Sequence, residues 1–147
     1  MISALYLVAT PIGNLDDITI RAIEILKNVD LIACEDTRHT GGLLAHYGIK
    51  KKLSSLHQHN EKSKSNSLIK KIHGGESIAY VSDAGTPAIS DPGAYLVNAA
   101  LDEKIKVIPI PGPSSIITAF SVSGIQSTHF QFHGFLPNTD NKCKKVL

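Results

Sequence analysis

The chain contains no tryptophan, one methionine and two cysteines, and only 5% of its 147 residues are aromatic. The cysteines, Cys34 and Cys143, have no metal-ligand spacing and predict neither a disulfide framework nor a zinc site, which favours a reducing compartment. Cys34 ends an apolar run, so we expect a buried, inert thiol. So few aromatic rings leave no visible stacking platform for single-stranded bases.

Long apolar runs and a strong net charge are also missing. No run approaches the roughly 18 residues that span a membrane, and the first residues lack the basic and apolar segments of a signal peptide. We therefore expect a cytoplasmic protein with no membrane partner. The net charge is +2, and the lysine clusters at 50–52, 62–71 and 142–145 are more often solvated faces than phosphate contacts.

Short apolar runs alternate with amphipathic stretches, and 147 residues suffice for one domain with a sizeable core. The runs predict buried strands at 5–9, 31–34, 53–56, 78–81 and 107–110. Strands alternating with helices indicate a parallel α/β sheet of about five strands flanked by helices, with right-handed crossovers. Pro109 lies inside the last run and predicts an edge strand or a strand end.

Helix boundaries follow from capping residues. Asp16 and Asp17 are predicted to cap the first helix, and Gly48 to end the second. After the fourth strand, Asp91 and Pro92 read as an N-cap followed by proline at the first helical position. The remaining helices are expected at 63–72 and 94–101, and residues 111–115 are expected to open a last helix that continues through 119.

The residues that leave the strands carry the special chemistry. The most informative exit, 82–93, reads S-D-A-G-T-P-A-I-S-D-P-G, where Gly85 permits a close backbone approach or a positive φ. Exits of parallel strands lie on one edge of the sheet, so the loops at 10–14, 35–38, 82–87 and 111–115 are predicted to converge on one crevice. None of them matches G-x-G-x-x-G or G-x-x-x-x-G-K-[ST].

Six motifs, in order, resemble those of a known family. They are V-A-T-P-I-G-N-L-x-D-I-T at 8–19, C-E-D-T-R at 34–38, H-x-H-N at 57–60, V-S-D-A-G-T-P-x-x-x-D-P-G at 81–93, P-G-P-S at 111–114 and G-F-L-P at 134–137. The chain resembles the tetrapyrrole methylase superfamily and, within it, the ribosomal RNA small-subunit methyltransferase I family. This resemblance implies transfer of a methyl group from S-adenosylmethionine to the ribose 2′-hydroxyl of a cytidine in the decoding region of 16S rRNA.

The resemblance also implies two α/β domains with the cofactor in the cleft between them. The chain would then hold an N-terminal domain, 1–123, and the start of a truncated second domain, 124–147, with an opening strand at 130–136. The implied cofactor contacts are Pro11, Gly13, Asp83, Ala84, Gly85, Thr86, Ile89, Gly112, Ser114 and Ser115. The implied partner is the small ribosomal subunit, and the full-length protein is expected to form a homodimer.

Methyl transfer to a ribose hydroxyl requires in-line positioning and is helped by a nearby base. Asp36 and Glu35 are candidate bases, and Arg38 is placed to bind a phosphate with its planar guanidinium. We take Asp36 and Arg38 as the candidate catalytic residues, although a structural ion pair between them explains the same pattern. Asp83 either hydrogen-bonds a ligand or pins its own loop through an Asx turn.

A metal site is considered and not predicted. His57 and His59 lie two residues apart, but no third ligand with suitable spacing follows them. Methyl transfer from a sulfonium does not require a metal. Contacts with RNA or within the loop are the preferred interpretation of both histidines.

Two other functions stay open. One is a methyltransferase for a small tetrapyrrole precursor, which E-D-T-R and H-x-H-N disfavour because that branch usually carries G-G-D-P in the second loop. The other is a non-catalytic remnant or an S-adenosylmethionine-binding module. Sequencing the DNA beyond residue 147 would separate an incomplete chain from a broken gene.

Overall fold

The structure is a computed structural model that describes residues 1–136. Its strands are β1 (Leu5–Val8), β2 (Leu31–Cys34), β3 (Leu53–Ser55), β4 (Ile78–Val81) and β5 (Val107–Ile110). Its helices are α1 (Ile20–Asn28), α2 (Thr37–His46), α3 (Glu61–His73), α4 (Ala94–Asp102) and α5 (Ser115–Val122). Cys143, the lysine cluster at 142–145 and the last motif residue, Pro137, lie outside the described residues.

The strands form one parallel sheet in the order β3-β2-β4-β1-β5. Ile78 of β4 is in register with Leu5 on one side and Leu31 on the other, so the strands start level with one another. The prediction of a five-stranded parallel α/β sheet is confirmed. Pro109 lies in β5, an edge strand, as predicted, because an edge position tolerates a residue that lacks an N–H.

Both faces of the sheet are covered, because alternate strand residues point to opposite sides. Tyr6 and Val8 belong to a core cluster with α1 and α2, whereas Leu5 belongs to a second cluster with α3 and α4. The runs of consecutive apolar residues in the strands are explained by this two-sided burial. Cys34 is fully buried as predicted, and burial raises the pKa of its thiol.

The start of the first helix differs from the prediction. Asn14 caps a separate 3₁₀ turn at Leu15–Asp17, and Thr19 caps α1 by accepting a first-turn backbone N–H at 3.1 Å. The prediction that Asp16 and Asp17 cap this helix is wrong. Both aspartates are used in the turn before it, so the next side chain with a suitable oxygen, Thr19, takes the capping position.

The start of α4 also differs. Asp91 and Pro92 lie in the turn before the helix, and Gly93 occupies the N-cap position with a φ of +119°. Glu61 supplies the missing acceptor from another helix, with Oε1 at 2.7 Å from the N atom of Gly93 and 3.0 Å from that of Tyr95. The predicted cap at Asp91 is therefore wrong, because a distant carboxylate satisfies these amides.

The chain groups into two compact units, the first formed by residues 1–115 and the second beginning at residue 116. In the second unit, the rings of Phe120 and Phe130 pack with centroids 4.9 Å apart. The predicted strand at 130–136 is not formed in the described part of the chain. Without a neighbouring strand, the backbone N–H and C=O groups of a segment form their hydrogen bonds with water, so no strand is stabilised. The predicted domain boundary at residue 123 stays a prediction.

Among residues 1–136, no helix combines the length and the apolar character that a membrane crossing needs.

Candidate active site

The exits of β1 and β4 are joined directly by their backbones. The N–H of Thr10 donates to the carbonyl of Gly85 at 3.0 Å, and the N–H of Gly85 donates back at 3.0 Å. Thr10 is almost fully buried, and its hydroxyl donates to the Ser82 carbonyl at 3.3 Å. The two loops thus lie at the same edge of the sheet, as loops that share one crevice must, and the single crevice itself stays a prediction.

The exit of β5 packs against these two loops. The Thr86 hydroxyl donates to the carbonyl of Pro113 at 3.2 Å. A Cβ added to Gly112 would lie 3.0 Å from the Cβ of Ala9, so glycine allows this loop to run close beside β1. The third of the four predicted loops therefore contacts the other two at the same edge of the sheet.

The exit of β2 is held by Asp83. The N–H of Asp36 donates to Asp83 Oδ1 at 3.2 Å, which ties 35–38 to the loop after β4. Asp83 therefore pins the neighbouring loop, which differs from the Asx turn within its own loop that was one of its two expected roles, and the other role, a hydrogen bond to a ligand, stays a prediction. All four predicted exits meet at the end of β4, because β4 is the central strand.

The implied cofactor residues differ in exposure within this edge. Pro11 and Gly85 are buried. The others are exposed or partly exposed, namely Gly13, Asp83, Ala84, Thr86, Ile89, Gly112, Ser114 and Ser115. Gly85 has a φ of +75°, in the left-handed region that favours glycine, and a Cβ there would lie 3.4 Å from Ile12 Cγ2.

Asp36 and Arg38 form an ion pair at the start of α2. Arg38 Nη2 donates to Asp36 Oδ2 at 3.0 Å, and the Arg38 backbone N–H donates to Oδ1 at 2.7 Å. These hydrogen bonds lower the pKa of the Asp36 carboxyl to about 2. The Arg38 side chain is 91% exposed, so its guanidinium faces solvent at the rim of the site. The structural ion pair anticipated from the sequence is present.

Glu35 has a different environment from its neighbour. Burial raises the pKa of the Glu35 carboxyl, and the negative charges of Asp83 and Asp91 add to that increase. Glu35 lines a cavity of about 370 Å³ together with Gln58 and Asp91. A carboxyl with a raised pKa beside a cavity is better suited to accept a proton than one held near pKa 2.

A second cavity, of about 350 Å³, lies beside the β1 exit. Pro11, Leu15 and Leu43 give it an apolar lining, and Arg38 and Asp83 contribute polar groups. Its size and its mixture of apolar and few polar groups are typical of a small-ligand site.

The H-x-H-N segment is organised by Asn60. The Asn60 Oδ1 accepts from the His57 N–H at 2.9 Å, and its Nδ2 lies 3.1 Å from His57 Nε2. The rings of His57 and His59 meet edge to face at 6.0 Å. Within residues 1–136, no group of three or more His, Cys, Asp or Glu side chains is arranged to hold a metal ion.

Two side chains that hold the site were missed by sequence reasoning. The Tyr80 hydroxyl donates to the Pro92 carbonyl at 2.6 Å, and Glu61 accepts from Gly93 and Tyr95. Tyr80 reads as one more apolar strand residue, and Glu61 reads as an ordinary first-turn acid. No local signal identifies their partners.

The fold and the edge together define an α/β protein with a ligand site built from small-residue loops at the carboxyl ends of parallel strands. Residues 4–144 match the family described as Tetrapyrrole (Corrin/Porphyrin) Methylases. The chain belongs to the tetrapyrrole methylase family, and the resemblance inferred from its motifs is confirmed.

Curated relatives are similar to most of this chain. It is 56% identical over 143 residues to the ribosomal RNA small subunit methyltransferase I of Pasteurella multocida, covering 97% of this chain and 51% of the relative. The protein of the same name from Vibrio cholerae is 58% identical, over 97% of this chain and 50% of the relative. The chain thus spans about half the length of the curated relatives it matches.

Solved structures show the same fold at low identity. Uroporphyrin-III-C-methyltransferase from Thermus thermophilus superposes with a TM-score of 0.64 at 23% identity, covering 86% of this chain and 55% of that one. Diphthine synthase gives a TM-score of 0.65 at 18% identity, covering 83% of this chain and 49% of that one. At this identity the likeness concerns the fold alone.

Proposed function

We propose that this chain is the N-terminal part of an S-adenosylmethionine-dependent methyltransferase that modifies the ribose 2′-hydroxyl of a cytidine in 16S rRNA. The observation that carries the proposal is the similarity of almost the whole chain, at 56–58% identity, to proteins named ribosomal RNA small subunit methyltransferase I. The small ribosomal subunit is the proposed substrate, the cytoplasm the proposed location, and a homodimer the proposed state of the full-length protein.

The residues at the carboxyl edge fit S-adenosylmethionine chemically. The cofactor carries a sulfonium, an ammonium and one carboxylate, so it is cationic overall, and Asp83 and Asp91 offer negative charge to it. The exposed Ile89, at 47%, offers an apolar surface of the kind that adenine packs on. Gly85, in the left-handed region, permits close contact with the backbone.

We assign the cofactor contacts as the resemblance implies them. Residues Pro11 and Gly13 would form the first loop. The second and third loops would contribute Asp83, Ala84, Gly85, Thr86, Ile89, Gly112, Ser114 and Ser115. When bound, S-adenosylmethionine supplies a methyl group already activated by its sulfonium, so positioning is the main task left to the protein.

We propose distinct roles for the charged residues of the β2 exit. Arg38 binds a phosphate of the RNA with its exposed guanidinium, and Asp36 holds that guanidinium in place. Glu35 accepts the proton of the ribose hydroxyl, because burial raises the pKa of its carboxyl. Asp36 is the weaker base of the two, since its pKa is about 2.

The proposal is tested with the full-length protein that contains this chain, using S-adenosylmethionine labelled on its methyl group. Small ribosomal subunits that lack the modification are offered beside a tetrapyrrole precursor such as uroporphyrinogen III. Label in a cytidine ribose is the expected result, and label in the tetrapyrrole would establish the alternative enzyme. Cofactor binding without any transfer would indicate a binding module, and absence of cofactor binding would overturn the proposal.

A further inference from the structure

The loop between β4 and α4 is held very differently in its two halves. The first half, 82–86, is joined to the other strand exits through Thr10, Asp36 and Pro113. The second half, 87–93, contains Ala88 and Ser90, which both have positive φ, at 66° and 57°. Residues with a Cβ rarely adopt such values, and they persist only where the surroundings hold them there.

The second half is anchored from outside by Tyr80 and Glu61. Tyr80 binds the Pro92 carbonyl at 2.6 Å, while a single oxygen of Glu61 accepts the N–H groups of Gly93 at 2.7 Å and Tyr95 at 3.0 Å. These two amides lie at the start of α4, where backbone N–H groups lack helical partners and the helix dipole favours an anion. A carboxylate therefore makes strong, charge-assisted hydrogen bonds at this point.

The position of Glu61 connects two regions of the site. Glu61 is the first residue of α3 and follows Asn60, whose side chain organises the H-x-H-N segment. It also lines the cavity that contains Glu35. Its hydrogen-bond donor Gly93 ends the segment 87–93, which carries Ile89, one of the proposed cofactor contacts.

We propose that Glu61 is a positioning residue for the loop between β4 and α4, here called the cofactor loop (82–93). Through its hydrogen bonds to the first amides of α4, Glu61 holds the second half of that loop, 87–93, in its cofactor-binding conformation. Glu61 touches neither cofactor nor substrate in this scheme and acts through Gly93 and Tyr95. The inference rests on the proposed function, because the ligand of the loop is the cofactor assigned there.

The chain offers a matched control at the opposite edge of the sheet. Asp30 Oδ2 also accepts two hydrogen bonds from another segment, from the Ser77 N–H at 2.8 Å and the Ser77 hydroxyl at 2.6 Å. Removing either carboxylate deletes a similar pair of contacts, but only Glu61 contacts the helix that follows the cofactor loop. Asp30→Ala therefore measures the effect of losing two hydrogen bonds to a carboxylate while the hydrogen bonds at the start of α4 remain intact.

The test uses the full-length protein and two measurements. Calorimetry gives the Kd for S-adenosylmethionine, and hydrogen exchange without the cofactor gives the protection of the Gly93 and Tyr95 amides. Glu61→Ala is expected to raise the Kd roughly tenfold, equivalent to about 1.4 kcal/mol, and to expose both amides. Glu61→Gln keeps an acceptor oxygen and is expected to stay within about threefold of wild type. Asp30→Ala is expected to leave the Kd unchanged.

The outcomes separate this inference from the proposed function. An unchanged Kd in Glu61→Ala, or an equal rise in Asp30→Ala, would overturn the positioning role. If Glu61→Ala does not fold, Glu61→Asp replaces it, since the shorter side chain cannot reach both amides, and unchanged affinity in that variant would be equally decisive. Failure of the wild-type protein to bind the cofactor would instead overturn the proposed function, and the exchange of the two amides would still test the anchoring by Glu61.

Discussion

A Cβ placed on Gly93 would lie 2.3 Å from Cε1 of Tyr80, and the φ of Gly93 is +119°. Tyr80 is fully buried in β4, and its hydroxyl binds the carbonyl of the residue before Gly93. Glycine is thus required at the start of α4 for two reasons, the backbone conformation and the ring that occupies the Cβ position. The loop between β4 and α4 ends against this buried ring.

We expect Gly93→Ala to lower the free energy of unfolding by about 3 kcal/mol, because overpacking and left-handed strain act together. Gly75→Ala is the matched control, since Gly75 has a φ of +98° and open space at its Cβ position. The control is expected to cost about 1 to 2 kcal/mol. Urea denaturation measures the free energy of unfolding of both variants. An equal decrease in the two would show that the Tyr80 ring moves away from the added Cβ at little cost.

Gly85→Val is expected to abolish cofactor binding in the full-length protein, with a Kd raised more than about 100-fold. A branched side chain at a φ of +75° distorts the turn and fills the space beside Ile12. Gly48→Val carries similar strain at a φ of +65°, with nothing within 4 Å of the added Cβ, outside the site. Calorimetry on both folded variants checks the prediction, which fails if Gly48→Val weakens binding as strongly.

Arg38→Ala is expected to leave cofactor affinity nearly intact and to lower the kcat/KM for small ribosomal subunits about tenfold, as loss of a charge-assisted phosphate contact would. Arg21→Ala, which removes an exposed arginine of α1, is the control. Methyl transfer and calorimetry are measured side by side. A loss of cofactor affinity equal to that of Gly85→Val would place Arg38 in the cofactor pocket.

Asp36 predicts a pH dependence of stability. Its folded pKa is about 2, below the ordinary 3.8, because Arg38 hydrogen-bonds the ionised carboxylate. The ionised form therefore stabilises the fold above about pH 4, and this contribution is lost as the pH falls from 3.8 towards 2. Asp36→Asn keeps a capping side chain but lacks this contribution. We expect the Tm difference between wild type and variant to close between pH 4 and 2, and a constant difference would refute the assignment.

Glu35→Gln is expected to lower kcat by about 100-fold without changing the Kd for the cofactor, as removal of a general base does. Because burial raises the pKa of Glu35, the rate should increase with pH as the carboxyl ionises in the wild type and lose that increase in the variant. Single-turnover methyl transfer across pH checks this. Normal activity of Glu35→Gln would show that Asp36 or water, instead of Glu35, accepts the proton of the ribose hydroxyl.

Strand positions were predictable because each strand is a run of apolar residues buried on both faces. β2, β4 and β5 begin and end where their runs do, and Pro109 marked the edge strand correctly. Helix starts were less predictable. Asp36 caps α2, whereas Asp91 caps nothing, although both precede a helix in the sequence. A local signal identifies a candidate cap, but competition from distant acceptors decides whether it is used.

The sequence by itself determined the order of strands and helices, the four small-residue exits and the family of the chain, because these depend on local composition and short motifs. Only the tertiary structure decided how the exits are held together. Thr10 with Gly85, Asp36 with Asp83, and Glu61 with Gly93 are partners separated by many residues. Such pairings depend on where the central strand β4 places its loop and on which carboxylate lies within hydrogen-bond distance of an unpaired amide. Neither can be predicted from the local sequence pattern.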